Sequence, residues 1–262
     1  MNLSVTNIAW SRRDDDAVFG MLRDYDFTGV EIAPTMIVPE APYTRINEAL
    51  RYRNALWNLF GLEIPSMQSI WFGVKDRIFG SAEERTRLTA YSKQAIHYAE
   101  AIYCKNLVFG CPRNRSLPDG ADPKIAVPFF RELGEYAKDH NTVLAMEANP
   151  PIYNTNYINT TKEAIGLIRE VDSEGFLLNL DVGTMVENGE NVSVLEGAEK
   201  LIHHVHISEP GLVPLQKREL HKELAAFLRS FSYEGWVSIE VRRQEDPGEL
   251  ERMLEYVAGL FA

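Results

Sequence analysis

The chain has 262 residues, 45% hydrophobic and 25% charged, with a net charge of −11. This is a globular composition, long enough to bury one large core without disulfides. The acidic balance repels phosphate backbones, which argues against a nucleic-acid partner, and no apolar run approaches the roughly 18–20 residues of a membrane span. The N-terminus, MNLSVTNIAWSRRDDD, has no basic leader followed by a long apolar segment. Cys104 and Cys111 flank one apolar run and read as reduced thiols of a cytoplasmic protein.

Short apolar runs alternate with amphipathic ones from end to end. LSVTNIAW (3–10) closes on Trp10 and precedes a helical pattern from about residue 14; GVEIA (29–33) carries Glu31 and precedes one from about 44. EIPSMQSI (63–70) runs into Trp71 before a helix near 81, and NLVFG (106–110) leaves through GCPRNR, with Arg113 and Arg115, before one near 124. TVLAME (142–147) ends on Glu147. The loop beyond holds Asn149, Asn154, Asn156 and Tyr157, and Asn159-Thr160-Thr161-Lys162-Glu163 offers a capping hydroxyl and an acid for the next helix. FLLNLD (176–181) ends on Asp181, with a helix expected near 190; HHVHI (203–207) precedes one near 220. WVSIE (236–240) ends on Glu240, and Asp246-Pro247 suits an N-cap followed by a first helical residue.

Eight strand–helix pairs in 262 residues predict a closed (β/α)8 TIM barrel, one domain spanning residues 1–262. A doubly wound sheet would leave eight strands open, and the chain has no GxGxxG or GxxxxGK[ST] turn for a nucleotide.

Barrel chemistry sits at the C-terminal strand ends. There, Glu147, Asp181, His206 and Glu240 are the polar residues closing four successive apolar runs. Any one alone reads as a helix cap, a rim salt bridge or a satisfied core histidine. Four on adjacent strands are harder to dismiss. Three converging carboxylates repel one another unless a cation joins them. Oxygen-rich ligation with one imidazole suits Mn²⁺, Mg²⁺ or Co²⁺ better than a thiolate-type zinc site. Strand alternation turns His204 inward with His206, either to support it or to fill a polar layer, and turns His203 the other way.

These residues, with the stretches NLVFGCPRNR, MEANPPIYNTNYINTT, LNLDVGTM, HVHISEP and GWVSIEV, resemble the xylose isomerase-like TIM-barrel superfamily, in its sugar phosphate isomerase/epimerase (ketose 3-epimerase-like) branch. The resemblance covers essentially the whole chain. It implies one divalent metal held by Glu147, Asp181, His206 and Glu240: Mn²⁺ first, with Mg²⁺, Co²⁺ or Zn²⁺ as alternatives. It also implies isomerisation or epimerisation of a sugar or sugar phosphate through an enediolate, with Glu147 and Glu240 as acid and base. Dimers or tetramers of the chain are compatible with it.

Two positions depart from the 3-epimerase pattern. Thr184 stands where a substrate-binding His would lie, three residues after Asp181, and Leu212 where an Arg would lie, six after His206. Another anchor is therefore expected. Arg113 and Arg115 are candidates for a phosphate or carboxylate, Asn149 for a hydroxyl, and Trp10, Trp71 and His204 for further substrate contacts. Glu31 reads as support for the metal site or as a plain salt bridge. Two other readings remain: a metal-dependent polyol (inosose-type) dehydratase and a non-catalytic sugar-binding barrel. The abasic-site endonucleases of the superfamily need further histidines, which SMQSIW and VFGCPR do not supply.

Overall fold

In the computed structural model, which describes residues 1–262, strand β1 (Asn2–Thr6) sets the pattern of the sheet. Alternation puts Leu3 and Val5 on one face and Ser4 and Thr6 on the other, and all four are buried. Burial on both faces is the mark of a parallel sheet sheathed in helices. The other strands are β2 (Gly29–Glu31), β3 (Ser66–Met67), β4 (Asn106–Phe109), β5 (Val143–Glu147), β6 (Phe176–Asp181), β7 (Ile202–Ile207) and β8 (Trp236–Ile239). They pair in parallel in the order β2-β1-β8-β7-β6-β5-β4-β3. The two ends of that row, β2 and β3, meet through isolated parallel bridges at Gly29–Glu63 and Ile32–Met67. Ile32 N donates to Ser66 O at 3.0 Å across this seam. The result is a nearly closed, single-domain (β/α)8 barrel, the fold class expected from the eight apolar runs.

Between the strands lie α1 (Asp15–Asp24), α2 (Pro34–Ile37), α3 (Ile46–Ala55), α4 (Ala82–Ala101), α5 (Ala126–Asp139), α6 (Thr161–Val171), α7 (Val182–Asn188), α8 (Glu219–Ser230) and α9 (Pro247–Phe261). Their starts follow local chemistry. Ser81 with Glu84 and Thr160 with Glu163 form capping boxes at α4 and α6. The Asp246 side chain caps α9, and Pro247 takes its first position. One start differs from expectation. The helix foreseen near residue 190 begins at Val182, directly after β6, with Asp181 as its N-cap.

The ladder between β6 and β7 carries a register shift, pairing Leu178 with Ile202 but Asn179 with His204. His203 is the extra residue of this bulge, so strict alternation fails there. Its Nδ1 meets Asn106 Oδ1 of β4 at 2.8 Å, so it does not face the helices as alternation predicts. One continuous apolar core reaches from Leu3 to Phe261. No helix is long and apolar enough to cross a membrane.

Candidate metal and sugar site

Glu147 and Asp181 are the last residues of β5 and β6, His206 lies near the end of β7, and Glu240 directly follows β8. The parallel register aligns Asp181 with His206 and Glu147 with Asn179, so the four side chains leave the barrel at one level. All four are buried, and one ligand-type atom from each lies within 4.8 Å of the others. His206 Nδ1 is 3.1 Å from Glu147 Oε1 and 3.2 Å from Glu240 Oε2.

Each group is held from behind. Asn179 Nδ2 donates to Glu147 Oε1 at 2.8 Å and Asn149 Nδ2 to Glu147 Oε2 at 2.9 Å. Gly110 beside them leaves room, since a Cβ there would lie 2.7 Å from Glu147 Oε2. Asp181 accepts from Thr184 N at 2.6 Å and from Ser208 Oγ at 2.5 Å. Gly183 N in turn donates to Ser208 Oγ, and a Cβ on Gly183 would meet that oxygen at 2.7 Å. The DVGT turn thus needs its glycine to aim Asp181. The outer nitrogen of His206, Nε2, lies 3.0 Å from Glu31 Oε1, and Glu31 Oε2 takes His204 Nε2 at 2.9 Å.

Burial, reinforced by the charge of Glu147, pushes Asp181 up to about 6. Burial also pushes Glu240 up to about 7, with Glu147 and Asp181 opposing the pull of His206. His206 stands well above its ordinary value, because Glu31 and Glu240 outweigh the effect of burial. At Glu31 burial acts upward, but the His206 and His204 imidazoles outweigh it and hold the carboxyl well below the usual range. Burial and mutual repulsion thus favour the protonated forms of Asp181 and Glu240, a cost that a bound cation would remove. A divalent cation fits the same place: three carboxylates and an imidazole Nδ1 converge, and Nε2 is held by a buried carboxylate, the usual support of a ligating histidine.

Above them opens a cavity of about 220 Å³, lined by Glu147, Asp181 and Glu240 with Gln68, Asn149, Tyr153 and Leu212 among others, and by no Lys or Arg. Gln68 Nε2 is buried without a hydrogen-bond partner. Three lining residues, Ser69, Cys111 and Leu212, hold left-handed backbone at φ of 54°, 45° and 54°. Such strain concentrates at functional sites. Burial pushes the Cys111 thiol up to about 12, which disfavours its reactive thiolate form. A wider groove of about 670 Å³ between α4 and α5 holds no such convergence of acids.

Of the residues foreseen as substrate contacts, Asn149 lines the cavity and the others do not. Arg115 is fully buried, donating to Glu147 O at 2.7 Å, Asn149 Oδ1 at 2.9 Å and Ile158 O at 3.2 Å. Its two terminal nitrogens brace the β5 loop and its Nε is buried without a partner, so the guanidinium does not reach the cavity, which corrects the expectation of an anion anchor. Arg113 is exposed on the rim and outside the cavity lining. Trp71 packs edge-on against Phe109 and donates to Ser92 Oγ at 2.9 Å; Trp10 packs against Phe19 and donates to Asp15 at 2.8 Å. Both are core residues rather than stacking platforms. His204 is buried and bound to Glu31, in a polar layer that supports His206. Thr184 caps Asp181 and donates its hydroxyl to Ala148 O at 2.8 Å, so it joins the β5 loop to α7. Sequence reasoning passed over Asn179, Ser208, Gln68 and Tyr153. Asn179 was within reach of it, being two residues before Asp181 and so on the same strand face.

The family model described as xylose isomerase-like TIM barrel matches residues 19–259. Among solved structures, D-psicose 3-epimerase from Clostridium cellulolyticum H10 superposes with a TM-score of 0.80 at 15% identity, covering 100% of this chain and 99% of that one. A 3-keto-D-glucoside 4-epimerase from E. coli gives 0.76 at 21% identity, covering 99% of each chain. The probable 3-DHS dehydratase of Bacillus anthracis gives 0.71 at 18%, covering 99% of this chain and 98% of that one. No relative is found among curated proteins. The matched span takes in all four converging residues, and the chain belongs to the xylose isomerase-like TIM barrel family.

Proposed function

We propose that the chain is a divalent-metal-dependent epimerase or isomerase of an uncharged sugar. The observation that carries this reading is the convergence of Glu147, Asp181, His206 and Glu240 at the floor of a cavity with no cationic lining residue. The epimerases among the structural neighbours support the sugar class. A phosphate or carboxylate would enter beside three acids with no guanidinium or ammonium in the lining, at a steep electrostatic cost.

Glu147, Asp181, His206 and Glu240 would hold the cation, with Mn²⁺ the first candidate for an oxygen-rich set with one imidazole. Such a cation supplies Lewis-acid polarisation of a carbonyl and its neighbouring hydroxyl. The chain's own residues supply the proton chemistry. One of Glu147 and Glu240 removes the proton from the carbon beside the carbonyl, leaving an enediolate, and the other returns one from the opposite side. Asn149 and Asn179 hold Glu147 through both carboxylate oxygens, fixing the direction from which it acts. Gln68 lines the cavity with its Nε2 buried and without an internal partner, and would donate to a sugar hydroxyl that reaches it.

The experiment is ¹H NMR of neutral ketoses, keto-glycosides and their phosphates in D₂O with the protein and Mn²⁺. Deuterium should enter neutral sugars at the carbon beside the carbonyl, with an epimer or isomer accumulating. Binding without exchange would make the chain a sugar-binding barrel. Exchange confined to phosphorylated sugars would overturn the uncharged substrate.

A further inference from the structure

A second constellation lies at the far end of the barrel, where α4 and α5 turn back into β4 and β5. His97 and Glu100 sit near the C-terminus of α4, and His140 is the C-cap of α5. A spacing of three residues puts His97 and Glu100 on one helix face, with His97 Nδ1 3.7 Å from Glu100 Oε2. The His140 ring stands edge-on to His97, centroids 4.5 Å apart. One ligand-type atom from each of the three residues lies within 4.8 Å of the others.

We propose that His97, Glu100 and His140 form a transition-metal site, separate from the cavity, that takes Zn²⁺ and clasps α4 to α5. Tyr136 is the independent observation. Its carbonyl accepts from His140 Nδ1 at 2.7 Å, and its hydroxyl meets His97 Nε2 at 2.5 Å. One residue therefore holds the outer nitrogen of both imidazoles and orients both rings, and its carbonyl, which can only accept, sets the His140 tautomer. With Nδ1–H on the carbonyl, His140 keeps its free lone pair on Nε2. With Nε2 turned to the phenol, His97 presents Nδ1 toward Glu100.

Two imidazoles and one carboxylate form a zinc-type donor set, with a fourth position open to water, whereas Mg²⁺ and Ca²⁺ prefer all-oxygen surroundings. Tetrahedral ligands at about 2.0–2.1 Å from zinc stand about 3.4 Å apart. The His97–Glu100 separation is already near that, and half-exposed side chains can rotate through the remainder. The helices are also tied nearby, since Lys93 of α4 pairs with Glu132 of α5 at 2.7 Å and lies over the Tyr136 ring.

The test is calorimetric titration of chelator-stripped protein with Zn²⁺ alone, with histidine ring signals followed by NMR. The wild-type chain should take up one more zinc equivalent than the double variant His97→Ala/His140→Ala. The ring signals of His97 and His140 should shift as that equivalent fills, and Tyr136→Phe should weaken it about tenfold. Sugar turnover by the Mn²⁺-loaded protein should be the same in wild type and double variant, which separates this site from the cavity. Equal zinc uptake by the two proteins, or ring signals that do not move, would overturn the proposal.

Discussion

Glu31 and His206 meet at 3.0 Å in a fully buried layer beneath the cavity, although one comes from β2 and the other from β7, three strands away around the barrel. Glu31 binds His206 through Nε2, and this leaves Nδ1 facing Glu147 and Glu240. A carboxylate behind an imidazole fixes its tautomer and raises its basicity toward a metal. In Glu31→Gln the amide keeps the size but loses the charge, and its nitrogen cannot accept. Mn²⁺ affinity should fall about 10- to 100-fold while the fold is retained. Titration followed by the electron-spin resonance of free Mn²⁺ checks this, and an unchanged affinity would remove Glu31 from the metal's support.

Glu240→Gln addresses the proton chemistry. The amide has nearly the shape of the carboxylate but cannot act as a base, so exchange of the substrate proton should fall by about 10²–10⁴. Mn²⁺ content must be measured alongside, since Glu240 is also a candidate ligand. Loss of exchange with the metal retained assigns the base. Retained exchange with normal metal content takes Glu240 out of the mechanism.

The four converging residues were legible because each is an ionisable group closing an apolar run, and strands of period two carry such groups to one rim. What escaped depends on tertiary packing. Arg115 reads as a rim cation in GCPRNR, yet the β5 loop folds over it and supplies the carbonyls that bury it. The start of α7 was hidden because glycine in DVGT reads as a turn, whereas there it clears Ser208. His203 broke the alternation because a bulge is a property of the β6–β7 pair, not of either run alone.

The brace at Arg115 makes a contrast with Arg113 testable. Arg115→Ala would leave Glu147 O, Asn149 Oδ1 and Ile158 O without the donor they share. Ile158 O keeps the Asn149 N–H at 3.1 Å, but a buried group that loses its partner costs about 1–3 kcal/mol, so the variant should lose at least about 1–3 kcal/mol of unfolding free energy. Arg113→Ala, at an exposed position, should stay within about 0.5 kcal/mol of the parent. Urea denaturation measures both. Equal, small losses would show that the guanidinium does not hold the β5 loop.

Acid sensitivity should come in part from His221, which α8 buries against Tyr256 of α9, with Nδ1 at 3.1 Å from the phenol. Burial holds this imidazole down to about 4 in the folded chain, against about 6.5 when unfolded. Between those values the unfolded chain binds the proton and the folded chain does not. Stability from this group is therefore present above about pH 6.5 and is lost as pH falls toward 4, at up to about 1.4 kcal/mol per pH unit. Other carboxyls titrate over the same range, so the measurement is a difference. Unfolding free energies of wild type and His221→Gln should converge as pH drops from 7 to 4.5, because only the wild type has this proton to take up. Parallel pH profiles for the two proteins would show that His221 takes up its proton equally in the folded and unfolded chains, so that burial does not hold it down.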